Sequence, residues 1–267
     1  LEFTSSYPNR LRVIPYQCYR GAENMAMDYY LTLFAAEFHQ PVLRLYGWKP
    51  SCLSLGKHQN TTLIDRDRLS GIDFVRRPTG GSAIFHADEL TYSFILPREQ
   101  MGHHEMYTYF HEILAKALNE LGYPVQLSAS PLSDVYINKG TDTFACFNRS
   151  ARSEIQYQGK KVVGSAQKIY KHAILQHGSI MLSNTHLNIV DYLQVDEEEK
   201  INQKKILVDH AISLSEISAM RIPSITAISE SLVAGFESHG ISRLNYKYPS
   251  PTEWSLSRKY RNQFLLT

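Results

Sequence analysis

Four apolar, strand-like runs follow one another between residues 42 and 96 with no helical pattern between any two of them. They are VLRLYGW (42–48), CLSLG (52–56), FVRR (74–77) and LTYSFIL (90–96). A doubly wound sheet needs a crossover helix between successive parallel strands, so this spacing argues against strict βαβ alternation. Further strand-like runs are LRVIPY (11–16) and ILQHGSIML (174–182), and EIQYQGKKVVGSAQ reads as a hairpin turning at Gln158-Gly159. Helical periodicity appears over 22–38, where Met25, Tyr29 and Phe38, with Ala26, Tyr30 and Leu31, make an apolar face. It recurs over 106–121, closed by Gly122 and Pro124, over 224–239 and over 251–265. The pattern predicts an α/β (α+β) fold, a mixed or antiparallel sheet flanked by helices.

The 267 residues suffice to bury a full core in one domain, and 43% hydrophobic with 20% charged residues is ordinary for a folded chain. A net charge of +2 is too mild to point to nucleic acid. Cys18, Cys52 and Cys146 are odd in number and lack metal or disulfide spacing, which predicts a reducing, cytoplasmic setting. No stretch approaches eighteen apolar residues and the start lacks a signal-peptide core, so no membrane partner is expected. The charged run 196–205 reads as a solvated loop or helix edge.

Several familiar motifs are missing. There is no G-x-G-x-x-G and no G-x-S-x-G, and Gly56-Lys57 has no glycine five residues upstream, so it is not a P-loop. His104-Glu105 lacks the second histidine of a zincin. His103, His104 and His111 have no carboxylate or thiol at ligand spacing, so they read as surface histidines and no metal is expected.

Two glycine-containing loops and one thiol survive. Arg76-Arg77-Pro78-Thr79-Gly80-Gly81-Ser82 combines close backbone approach with cationic donors, and His86 follows it as a ligand contact or as a histidine that orders the loop. The stretch from Cys146 to Ile180 holds the thiol, a lysine fifteen residues later (161 − 146), the Gly164-Ser165-Ala166 step and the His177-Gly178 pair. A lone cysteine is more often a small buried hydrophobe than a nucleophile. Cys146, however, lies in a polar irregular run, where function is commonly carried. A free thiol near pKa 8.5 is only about a tenth ionised near pH 7.5, so a neighbouring ammonium would make thiolate a major species. A turn at Gln158-Gly159 pairs Lys161 with Gln156 and sends Lys160 to the other strand face, so at most one lysine serves; spacing alone does not choose.

Together these residues resemble the lipoyl/octanoyl transferase and lipoate–protein ligase superfamily. RRPTGG…H…ELTYS (76–93), GKKVVGSAQ (159–167) and ILQHGSI (174–180) carry the likeness, with VLRLYGWKPSCLSLGKHQN (42–60) and NMAMD (24–28), over roughly residues 10 to 245. Cys146-Phe147 before the GKK hairpin is similar to the LipM-type octanoyltransferases, although 148–153 departs from that group's Pro-Ser and aromatic pattern. The resemblance implies a biotin/lipoate transferase-like fold with a large mixed sheet, a smaller second sheet and flanking helices. It implies one catalytic domain over 1–267 without the C-terminal accessory domain of many ligases.

The resemblance also implies an octanoyltransferase with Cys146 as acyl carrier and Lys161 as its activator. Arg76, Arg77, Thr79, Gly80, Gly81, Ser82, His86, Gly164, Ser165, His177 and Gly178 would line the substrate site. The donor would be octanoyl-acyl carrier protein and the acceptor a lipoyl domain or the glycine-cleavage H protein, with no cofactor. The alternative is an ATP- and magnesium-dependent lipoate–protein ligase, or amidotransfer between lipoylated proteins.

Overall fold

In the computed structural model, which describes residues 9–128, 153–218 and 222–266, the chain opens with strand β1 (Arg10–Tyr19) and helix α1 (Gly21–Phe38). Five strands follow with no α-helix among them: β2 (Val42–Trp48), β3 (Cys52–Leu55), β4 (Asp73–Arg76), β5 (Ile84–His86) and β6 (Glu89–Pro97). Helix α2 (His103–Glu120) precedes β7 (Gln126–Leu127), β8 (Ile155–Tyr157), β9 (Lys160–Lys161), β10 (Val163–Ile169) and β11 (Ala173–Met181). Helices α3 (Glu197–His210), α4 (Leu214–Ile217) and α5 (Ile225–Ser238), strand β12 (Arg243–Tyr246) and helix α6 (Pro251–Arg258) complete the order.

The main sheet has six strands in the order β10-β11-β6-β2-β1-β12. Strand β1 is parallel to β2 and β12, and the β2–β6, β6–β11 and β11–β10 pairs are antiparallel. The mixed sheet expected from the spacing is the one that forms. A second sheet, β4-β3-β5, carries the glycine loop, and a third small one joins β7, β8 and β9. Period-two alternation divides the core. On β6, Leu90, Tyr92, Phe94 and Leu96 pack with Phe110 of α2 and Phe236 of α5, while Ile95 joins Met27 and Leu31 of α1 on the other face. Truncating Phe94 or Phe110 to alanine would cost about 3–5 kcal/mol.

Several elements differ from their sequence patterns. Helix α2 begins at His103, three residues before its apolar periodicity, because Gly102 sets its N-terminal boundary. The charged run is helical: Asp196 caps α3 by accepting from Glu199 N at 2.8 Å, and Glu197, Glu198 and Glu199 sit at the positive end of the helix dipole. Only Gln203 and Leu207 of that helix are buried, so its solvated face is as expected. The last helical pattern breaks at Arg258 and resumes as a 3₁₀ turn over Arg261–Gln263. Phe38 is 53% exposed, because α1 runs past the sheet there before His39 ends it in the left-handed region. Strand β12 gave no apolar signal, since three of its four residues face solvent at the sheet edge.

The hairpin turn forms at Gln158 and Gly159, both at positive φ, and Gln156 pairs with Lys161. Its second strand is shorter than expected: after Lys161 the chain leaves β8, and 163–169 pairs with β11 in the main sheet. Ile212 N donates to Lys161 O at 2.9 Å and holds that departure point. Among the described residues no helix is long and apolar enough to cross a membrane.

Candidate active site

Helix α1 places Asn24 and Asp28 one turn apart, on a face that meets the apolar strand β2. Burying a carboxylate there is unfavourable without partners, and the strand supplies them. Arg44 Nη1 donates to Asp28 Oδ1 at 2.6 Å and Arg44 Nη2 to Asn24 Oδ1 at 2.6 Å. The hydroxyls of Tyr46 and Ser93 each donate to Asp28 at 2.9 Å. Burial opposes ionisation of Asp28, but the Arg44 guanidinium and His177 outweigh it and hold the carboxyl below its usual range.

His177 extends this cluster to the glycine loop. Its Nδ1 lies 3.6 Å from Asp28 Oδ2, and its Nε2 is 2.7 Å from Thr79 Oγ1. Burial pushes the imidazole pKa down, and the Asp28 charge only partly offsets that. A neutral ring with its proton on Nδ1, facing the carboxylate, leaves Nε2 to accept from Thr79. Three segments, β11, α1 and the glycine loop, are thereby tied through one imidazole.

A second cluster surrounds His86. Its ring stacks on Trp48 with centroids 4.0 Å apart, Nδ1 lies 2.8 Å from Glu89 Oε1 and Nε2 2.8 Å from Ser54 Oγ. Trp48 Nε1 donates to Glu89 Oε1 at 3.0 Å and to Thr91 Oγ1 at 2.7 Å. Burial works against the Glu89 charge, but His86 and hydroxyl donors hold its carboxyl low. Both ring nitrogens of His86 are thus engaged, by Glu89 and Ser54, neither of them in the 76–82 loop.

Between these clusters lies a cleft with about 390 Å³ of atom-free space, its mouth included. Met25, Tyr46, Trp48 and Ile84 give it apolar walls, and Arg77, His86, Gly164, Ser165, His177 and Gly178 line it with them. Arg76, Thr79, Gly80, Gly81 and Ser82 are not among its lining residues. Arg76 Nη1 donates to the carbonyls of Gly56 and Gln59 at 3.0 and 2.7 Å. Arg77 Nη2 donates to those of Gly80 and Ser82 at 2.9 and 2.7 Å. These guanidinium contacts brace the chain around the cleft. Two glycines are sterically required: a Cβ on Gly56 would lie 1.8 Å from Gly81 O, and one on Gly178 would lie 2.4 Å from Gly164 O.

The lysines of the hairpin separate as the strand faces demand. Lys160 Nζ donates to Val208 O at 2.8 Å in an exposed contact, whereas Lys161 is buried and donates to Glu154 Oε1 at 2.6 Å. Beyond that ion pair stands His111, whose Nε2 is 2.7 Å from Ser165 Oγ in the cleft wall. The expectation that His111 is a surface histidine is wrong: it is completely buried, because α2 turns it toward the sheet. Cys146 and residues 148–152 lie outside the described residues.

Asn24, Asp28, Arg44, Trp48 and Glu89 lie within the runs that carry the family likeness but were not singled out as site residues, and Glu154 lies outside those runs. The available signal was charge inside apolar runs: Arg44 within VLRLYGW and Asp28 within NMAMD.

The profile of the lipoyl protein ligase A/B catalytic domain matches residues 20–237. An octanoyltransferase LipM from an Exiguobacterium species is 36% identical over 226 residues, covering 81% of each chain. The octanoyltransferase LipM of Exiguobacterium sibiricum is 34% identical over 257 residues, covering 91% of this chain and 92% of its own. The crystal structure of a lipoate-protein ligase A bound with ATP superposes with a TM-score of 0.71 at 22% identity, covering 96% of this chain and 95% of its own. That likeness is one of fold, and it bears out the biotin/lipoate transferase-like architecture.

Proposed function

The chain belongs to the lipoyl protein ligase A/B catalytic-domain family, and from that premise we propose that it is an octanoyltransferase. It moves an octanoyl group from acyl carrier protein, through a thioester on Cys146, to the lysine of a lipoyl-accepting protein such as the glycine-cleavage H protein. The observation that carries this reading is Lys161, buried and ion-paired to Glu154 while its half-buried neighbour Lys160 turns to the Val208 carbonyl. A buried ammonium favours thiolate over thiol and stabilises a developing oxyanion, the two needs of acyl-thioester chemistry.

In the first half-reaction the Cys146 thiolate attacks the donor thioester: a new C–S bond forms, the carrier's C–S bond breaks, and the carrier's sulfur leaves as a thiolate that takes up the proton the Cys146 thiol had released. In the second, the acceptor amine attacks the acyl-enzyme: a C–N bond forms, the C–S bond breaks, and one amine proton passes to sulfur. Thioester exchange is close to neutral and amide formation is downhill, so the route requires no nucleotide; splitting the transfer is covalent catalysis. The apolar walls of the cleft suit a medium chain. Arg76 and Arg77 hold backbone carbonyls around that cleft, which weighs against the ligase alternative in which they take a phosphate. The odd cysteine count fits action in the cytoplasm.

Incubation with octanoyl-acyl carrier protein, without ATP, is expected to give an octanoyl adduct by intact mass that Cys146→Ala loses. ATP-dependent labelling that survives Cys146→Ala would overturn the proposal. Lys161→Ala is expected to raise the apparent thiol pKa in an iodoacetamide titration, with Lys160→Ala unchanged. Superimposable curves for wild type and Lys161→Ala would reject Lys161 as activator.

A further inference from the structure

His111 has none of its surface exposed, and the octanoyltransferase reading gives it no part. Its imidazole bridges two segments: Nδ1 lies 2.6 Å from the carbonyl oxygen of Ser153, and Nε2 lies 2.7 Å from Ser165 Oγ. The Tyr92 hydroxyl is 2.5 Å from the same Ser165 oxygen. A carbonyl only accepts, so Nδ1 carries the ring proton. Burial pushes the His111 pKa down to about 4, with the Ser153 carbonyl opposing the fall and the Lys161 ammonium adding to it. At neutral pH, Nε2 is therefore a bare acceptor. Ser165 must donate its one proton to Nε2, and Tyr92 must donate to Ser165. The serine oxygen then retains one lone pair, and its proton is already committed.

We propose that Ser165 is the hydrogen-bond acceptor that orients the attacking amine in the amide-forming half-reaction, and that His111 is the positioning residue that keeps it an acceptor. The inference rests on the octanoyltransferase reading. Ser165 is half-buried in the cleft wall on β10, an edge strand of the main sheet, where an acceptor protein can approach from outside. An amine attacking a thioester must turn its lone pair toward the carbonyl carbon. One N–H held by a fixed oxygen does this. Ser165 and His111 begin and end the step with the same protons, because the amine proton leaves with sulfur. The committed proton argues against the opposite role, in which Ser165 would donate to the oxyanion. Gly178 belongs to the same device: a Cβ there would lie 2.6 Å from the Tyr92 oxygen and push it away from Ser165.

The test reads the two half-reactions separately: acylation from octanoyl-acyl carrier protein by intact mass, then single-turnover transfer from the isolated acyl-enzyme to an apo lipoyl domain. His111→Asn keeps a donor for the Ser153 carbonyl but removes the acceptor facing Ser165, and His111→Gln can return an amide oxygen to that place. Ser165→Ala removes the orienting oxygen and leaves the buried ring in position, so it carries the test if the helix variants fold poorly. His111→Asn and Ser165→Ala are expected to slow transfer by about tenfold or more, the scale of one lost hydrogen bond, and to slow acylation by clearly less than that. His111→Gln should recover part of the transfer rate. Undiminished transfer in Ser165→Ala, equal loss in both half-reactions, or no recovery in a folded His111→Gln overturns the inference while leaving the octanoyltransferase reading intact. A wild-type protein that forms no acyl-enzyme overturns that reading, and the inference with it.

Discussion

Two buried charge pairs of the fold, Asp28–Arg44 and Glu154–Lys161, are built differently. Asp28 and Arg44 are sealed between α1 and the main sheet, with side chains 0% and 1% exposed, and two hydroxyls complete the carboxylate's shell. Glu154 and Lys161 sit at the small hairpin with side chains 4% and 7% exposed, next to the point where β9 leaves for the main sheet. The first pair joins long elements of the core, whereas the second is held by a two-residue turn and a hydrogen bond from Ile212. A charge network sealed in the core serves position.

The largest effect expected from breaking this contrast is at Asp28. Asp28→Asn leaves Arg44 buried without its counter-charge and should cost about 3–5 kcal/mol in a urea melt. A loss below about 1 kcal/mol would mean that hydroxyls and Asn24 alone satisfy the guanidinium.

The second effect is pH-dependent. An unfolded histidine titrates near pH 6.5, and folded His111 near 4. Above about pH 6.5 both states are neutral and His111 contributes no pH dependence. Between those values the unfolded chain binds a proton that the folded one refuses, so stability falls as pH falls. The slope approaches about 1.4 kcal/mol per pH unit, roughly 3 kcal/mol in all, and levels off once the folded ring titrates. Burial depresses His177 in the same direction. Melts of wild type and His111→Gln over this range should therefore diverge in the variant's favour toward acid; parallel profiles would refute the shift.

Glu154→Gln should cost less than Asp28→Asn, about 1–3 kcal/mol, while lowering thiol reactivity or acylation more than it lowers stability. A stability loss matching that of Asp28→Asn would erase the distinction between the pairs. The smallest effect expected is at the exposed end of α1, where Phe38→Ser should stay within about 0.5 kcal/mol of wild type. A larger loss would show that the apolar face drawn from the sequence reaches further than the packing does.

What was legible follows from range. The turn at Gln158-Gly159 sets the hairpin register locally, so the Gln156–Lys161 pairing could be read directly. The strands of 42–96 and the three long apolar helices announced themselves by period. By contrast, α3 hides its helix in a run of charges because capping and dipole effects, with very few buried side chains, specify it. The partner of Arg44 lay sixteen positions away and that of His177 ninety-eight, distances at which no local pattern operates. His111 was misplaced for the same reason: a polar residue on an amphipathic helix looks solvent-facing until two other segments supply its partners.

The sequence by itself determined the mixed sheet, the order of its principal elements, the turn that sets Lys161 opposite Gln156, and the motifs that carry the family likeness. These depend on side-chain period and local backbone preference. Only the tertiary structure decided that Lys161 and not Lys160 is buried, that Arg76 and Arg77 brace carbonyls, and that His111 fixes the polarity of Ser165. Each of those depends on which distant donor or acceptor a buried polar group meets, and burial makes that meeting obligatory.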